Sequence, residues 1–150
     1  MKDKNGIEIK TGNIVEITGS FFKTDNGLYY VEHSAGDPDW CGNDHCLKKI
    51  GKNGKLSKAK KNICFWPISV FVSDRAKSAE ARKWNRENAT IEVKTIANMT
   101  EVVELFKSKA AEITKEADRL AWHFGEESET IQKKRTYARH YEAVAAAIDG

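Results

Sequence analysis

Seven lysines, Lys48, Lys49, Lys52, Lys55, Lys58, Lys60 and Lys61, fall within fourteen positions, and no acidic side chain occurs between Asp44 and Asp74. Like charges at that density repel one another within a Debye length of about 8 Å at physiological salt. A polyanion that releases counterions on contact gains affinity at such a segment, which makes nucleic acid the natural partner. Arg75, Arg82 and Arg86 carry the same sign downstream, and Arg82 and Arg86 stand one helical turn apart on a shared face. Trp66, Trp84, Tyr29 and the adjoining Tyr30 supply rings on which bases stack wherever a face is exposed. Lysine outnumbers arginine in the run, which suits unspecific phosphate attraction better than bidentate reading of base edges. The competing reading is a solvated, aggregation-resistant hairpin tip or a contact to an acidic protein surface.

Other chemistry-bearing groups form weaker patterns. Cys41, Cys46 and Cys64, with His33 and His45, are enough soft ligands for a tetrahedral zinc site, but the Cys-x4-Cys spacing is wide for a finger and Cys64 lies in an apolar run. Free thiols and no bound metal or cofactor are therefore expected. Asp39 with the distant Glu92-Val93-Lys94 imitates a scattered nuclease signature. Glu8-Ile9-Lys10 repeats the same triplet, so strand alternation alone generates it. A metal-dependent hydrolase built on Asp37, Asp39, Asp44 and His45 stands as a minor alternative. Glu32-His33 and Asp44-His45 lack a nucleophile at a recognisable elbow. Gly51-Lys52-Asn53-Gly54-Lys55 lacks the spacing and the strand-loop-helix setting of a phosphate loop.

The 150 residues fit one domain with a small appendage and exclude a large multidomain enzyme. Hydrophobic residues at 40% and charged residues at 31% describe an ordinary globular chain. The net charge of +3 averages over a strong asymmetry: residues 1–44 carry −4, residues 45–86 carry +10 and residues 87–150 carry −3. No apolar leader follows Met1-Lys2-Asp3-Lys4, no run of about eighteen apolar residues occurs, and three cysteines are an odd number. These features predict a protein of a reducing bacterial cytoplasm, neither secreted nor membrane-spanning.

The elements that must position these groups change character along the chain. Ile7 and Ile9, Val15 and Ile17, and Leu28-Tyr29-Tyr30-Val31 after the turn Asp25-Asn26-Gly27 read as half-buried antiparallel strands. Cys46 to Ile50 is another strand, followed by a tight turn at Lys52-Asn53-Gly54-Lys55. Asn62 to Val72 is apolar on both faces and predicts the most buried strand, bent at Pro67. Ser73-Asp74 caps a helix over 75–88 with Trp84 as its large apolar anchor, and a strand follows over 90–96. Val103, Phe106, Ala110, Ile113, Ala117, Leu120 and Phe124 recur at alternating spacings of three and four, an a/d stripe. Asn98 with Glu101 offers a capping box, and Gly125 a left-handed end. A second helix over about 128–148 carries Ile131, Ala138, Tyr141, Ala145 and Ile148 on one face, which predicts an antiparallel helical hairpin. The stripe serves that seam or, as an alternative, self-association.

Gly12-Asn13-Ile14-Val15-Glu16-Ile17-Thr18-Gly19 followed by Gly27-Leu28-Tyr29-Tyr30-Val31 resembles the opening hairpin of SH3-like small barrels of the KOW type. About twenty residues carry the likeness, and Ser20 to Asn26, with Phe21 and Phe22, are inserted where the family has none. Asp37-Pro38-Asp39-Trp40, Cys64-Phe65-Trp66-Pro67 and Ala81-Arg82-Lys83-Trp84-Asn85 look like a type of small protein found in phages and mobile elements of Gram-positive bacteria. That resemblance implies binding, in host takeover or anti-defence, rather than turnover. The expected architecture is α+β: an SH3-like β-barrel over 1–97 with a helix at 75–88, then a helical hairpin over 98–150. The expected function is a non-enzymatic binding protein that engages nucleic acid or a host nucleoprotein, with a homo-oligomer through the C-terminal helices as an option. An inhibitor of a host protein, or a protein that sequesters a phosphate-bearing signalling nucleotide between barrel and helices, is the alternative.

Overall fold

In the computed structural model the described residues are 2–34, 45–51, 79–95 and 99–149. Alternating apolar residues build β1 (Ile14–Thr18), β2 (Gly27–His33), β3 (Cys46–Ile50) and β4 (Thr90–Lys94), which pair antiparallel in the order β3-β2-β1-β4. Ile14 lies opposite Tyr30 on one side and Lys94 on the other, and Val15 lies opposite Tyr29 and Val93. Three α-helices, α1 (Ala79–Asn88), α2 (Thr100–Phe124) and α3 (Glu129–Asp149), and a 3-10 turn at Lys23–Asp25 complete the described chain. The fold is α+β, with the last two helices packed together. The four described strands form an open sheet and not a closed barrel. None of the described helices is long and apolar enough to cross a membrane.

Side-chain alternation assigns the two faces of the sheet. Ile14, Tyr30 and Ile50 pack with Val102, Val103 and Phe106 of α2 and with Ala138, Tyr141, Ala145 and Ile148 of α3. Val15, Ile17, Tyr29, Val31, Leu47 and Ile91 form a second cluster on the opposite face, with Ile9. Tyr29, Tyr30 and Val31 are consecutive and all buried, so mid-β2 is covered on both faces where one wet face was expected. Phe106 meets Tyr30 and Tyr141 edge-on, at centroid distances of 5.4 and 5.1 Å, and so links helix seam and sheet in one aromatic file. The Tyr141 hydroxyl donates to the Glu32 carbonyl at 3.1 Å, which fixes α3 against β2.

The hairpin follows the a/d stripe over most of its length. Val103, Phe106, Ala110 and Ala117 are buried and Ile113 and Leu120 partly so, as are Ile131, Ala138, Tyr141, Ala145 and Ile148 across the seam. Phe124 departs from the prediction. It stands 73% exposed, because Gly125 turns the chain away at φ 82° and α3 begins only at Glu129, so the seam has no partner at that level. Arg135 of α3 bridges Asp118 of α2 at 2.9 Å and also pairs with Glu126 in the connecting turn, which ties the two helices at that end. The helix start also moves. Met99 is the N-cap of α2 and makes no side-chain cap bond, and Asn98 of the expected capping box lies outside the described residues.

Ile7 and Ile9 do not form the expected strand. The turn at Asp3 to Gly6 leaves only an isolated bridge between Lys2 and Glu8, with Ile7 exposed and Ile9 buried. The turn serves β4 instead. The Asp3 carboxylate accepts the Val93 amide at 2.8 Å, the Ile7 amide at 2.8 Å and the Asn5 amide at 2.9 Å, while the Lys4 amide donates to the Ile91 carbonyl at 3.0 Å. The Val93 hydrogen bond, ahead of the other two, holds the Asp3 carboxyl below its usual range despite partial desolvation. The expected strand over 62–72, the Lys52–Lys55 turn and the Ser73-Asp74 cap lie outside the described residues.

Candidate nucleic-acid interface

Of the groups expected to meet an anion, Lys48, Lys49, Arg82, Arg86, Trp84 and Tyr29 are described, whereas Lys52, Lys55, Lys58, Lys60, Lys61, Arg75 and Trp66 lie outside the described residues. The two described lysines of the run are not free cations. β3 points Lys48 and Lys49 to opposite faces, and each finds a partner far away in sequence. The Lys48 ammonium sits 2.9 Å from Glu32 Oε2, and Lys109 of α2 reaches Glu32 Oε1 at 3.3 Å. Burial works against ionising Glu32, but these two ammoniums outweigh it and hold the carboxyl below its usual range. Lys49 Nζ donates to the Thr24 carbonyl at 2.9 Å, the Asn26 carbonyl at 2.7 Å and the Tyr29 hydroxyl at 3.3 Å, and lies 4.8 Å from the Tyr29 ring centroid. Its pKa is lowered by burial, partly offset by the charge of Asp25. Lys49 is thus a loop clamp and Lys48 one arm of an internal ion triad.

Tyr29 offers no stacking face, being fully buried with its hydroxyl on the Asp25 carbonyl at 2.7 Å. Trp84 was expected to anchor its helix in the core, yet Ala81 and Asn85 are the buried residues of α1 and Trp84 is 48% exposed. Its indole N–H donates to the Gly19 carbonyl at 3.0 Å. Arg86 is exposed and Arg82 half-buried, one turn apart on α1. Cys46 is a buried thiol on β3 next to the buried His45, while Cys41, Cys64, Asp37, Asp39 and Asp44 lie outside the described residues. Glu92 and Lys94 belong to a surface ion network with Glu16 and Lys4, with Lys94–Glu16 at 2.9 Å and Lys4–Glu92 at 3.1 Å.

Phe21 and Phe22, which no motif marks as site residues, belong to this surface. The loop from Gly19 to Asn26 is seated on α1 by Asn85, whose Oδ1 accepts the Phe21 amide at 2.8 Å and the Ser20 hydroxyl at 3.4 Å. The Asn26 side chain accepts the Ser20 amide at 2.8 Å from within the loop, and Lys49 grips its far end. Thus held, the loop presents Phe21 at 39% and Phe22 at 36% exposure, their rings edge-on at 5.2 Å, with Trp84 6.5 Å from Phe21. The insertion itself was the available signal: two adjacent phenylalanines stand in a stretch with no counterpart in the hairpin the sequence resembles. Gly19 makes the seating possible. Its φ is +74°, and an added Cβ would strike the Asn88 carbonyl, so Gly19→Ala is expected to lower stability by about 2 kcal/mol. Urea unfolding of the two proteins measures this, and equal midpoints would mean that the loop is not seated as described.

A groove of about 350 Å³ opens between the N-terminal loop and α3, lined by Ile7, Glu8, Lys10, Asn13 and His140 among others. Glu8 beside Lys10 cancels the charge a nucleotide phosphate would seek there. No protein-family model, curated protein or solved structure matches the chain.

Proposed function

We propose that the chain is a non-enzymatic, cytoplasmic binding protein, of the kind found in phages and mobile elements, which engages nucleic acid through its basic segment over residues 45–86. One observation carries the reading: twelve Lys and Arg against two acidic residues in that segment, with none of the acids between Asp44 and Asp74. The ion pair of Lys48 and the carbonyl bonds of Lys49 remove those two from the contact set. The phosphate contacts then fall to Lys52, Lys55, Lys58, Lys60 and Lys61, with Arg75, Arg82 and Arg86 extending the surface. An SH3-like barrel as the platform remains part of the proposal, beside the open sheet of the described strands. Binding acts by covering the backbone, not by turnover.

Titrating the full chain with labelled DNA and RNA over a range of salt tests this. Affinity should fall linearly with salt on a log–log scale, and replacing Lys52, Lys55 and Lys58 together by Glu should flatten the slope by about 3 and cost at least about a hundredfold at low salt. No affinity at low salt, or affinity without a salt slope, would sink the reading.

A further inference from the structure

We infer that a second copy of this chain packs antiparallel on the outer face of α2, the face turned away from α3 and the sheet. Glu104, Ser108, Ala111, Lys115, Arg119 and Trp122 lie on that face at steps of three and four residues, and all are exposed. This surface is separate from the a/d stripe, whose residues the seam and the sheet take up. Trp122 is 87% exposed, so a large apolar ring stands in water on the same line.

The signs along this line are segregated rather than mixed. Glu101 and Glu104 come first, the small Ser108 and Ala111 follow, and Lys115 and Arg119 come last. A face that meets only water alternates its signs and gains pairs along the helix, whereas here like charges stand three or four residues apart. The helix dipole favours acids in the first turn and bases in the last, but Glu104, Lys115 and Arg119 lie outside those turns.

Such segregation is self-complementary. Glu104 and Lys115 lie equally far, about 8 Å, on either side of the midpoint between Ser108 and Ala111. Two copies crossing there about a two-fold axis place each Glu104 against the other's Lys115, with small side chains where the backbones come closest. Arg119 then falls near the second copy's Glu101, and Trp122 reaches the start of its α2. Glu112 comes level with Lys107 and Ser108 of the second copy. The other acids of the basic half, Glu116 and Asp118, are paired with Lys134 and Arg135 of their own chain at 3.7 and 2.9 Å. An acidic half and a basic half in two-fold register fit another copy of the same face, not a polyanion.

Sedimentation velocity on the full chain from ~1 to ~100 μM, at low and at physiological salt, tests this. The wild type should pass from monomer to dimer across that range, and salt should weaken the dimer by screening its exposed pairs. Glu104→Lys alone and Lys115→Glu alone should each raise the dimer Kd about tenfold or more, since each turns two attractions into two repulsions. Mixing the two variants, or combining both changes in one chain, restores opposite charges at every such contact and should bring dimerisation back. Both positions are exposed, so the variants should keep the far-ultraviolet circular dichroism of the wild type. A wild type that stays monomeric at ~100 μM in low salt overturns the dimer. So does association that is indifferent to the single reversals, or that is lost in them and not recovered by the swap.

Discussion

Phe106→Ala is expected to cost about 3–5 kcal/mol. Phe106 is fully buried, it stands between Tyr30 of the sheet and Tyr141 of α3, and its ring meets both edge-on. Removing it leaves a void that neither tyrosine can fill. The Tyr141 hydroxyl is fixed on the Glu32 carbonyl and Tyr30 is held in the strand ladder, so collapse into the gap is blocked. Urea unfolding followed by far-ultraviolet circular dichroism reads the change. A loss below about 1 kcal/mol would place α2 elsewhere than across this face.

Glu32→Gln is the second. Glu32 sits between Lys48 and Lys109 with its side chain 13% exposed, and the neutral amide leaves two ammoniums facing each other without their shared anion. Lys48 is 37% exposed, so water screens part of the penalty and the expected cost is about 2 kcal/mol rather than the full value of a broken interior pair. The pH dependence carries the sign. Because the folded carboxyl titrates below its ordinary value of 4.5, the triad's contribution is complete above that value and is lost as pH falls through the lowered one. Wild type and variant should therefore differ most near neutrality and converge in acid. A gap that stays constant from pH 7 to about pH 3 would show that the carboxylate charge is not what matters.

What could be read from the sequence divides by range. The α2–α3 hairpin was legible because its stripe is written in local spacing, from Val103 to Leu120 and from Ile131 to Ile148. Phe124 keeps the spacing but loses the partner, which a single helix cannot reveal. Lys48 and Lys49 looked unneutralised because their counterparts, Glu32 and the carbonyls of Thr24 and Asn26, come from the preceding strand and loop. Tyr29 looked like a ring for stacking because alternation cannot say whether the second face of β2 is covered. The setting of Phe21 was invisible, since the residue that seats it lies 64 positions away at Asn85. The charge asymmetry was plain in the sequence; which cations remain available depended on tertiary pairing.

Asp3 and Lys4 fill the outer side of β4. The Asp3 carboxylate takes the Val93 amide, and the Lys4 amide takes the Ile91 carbonyl, so two of the backbone groups that β4 turns outward are used up locally. A strand edge with free groups is a template on which a second molecule can add its own strand. On this side the turn from Asp3 to Gly6 occupies part of that template, while β4 gives Ile91 and Val93 to the apolar cluster.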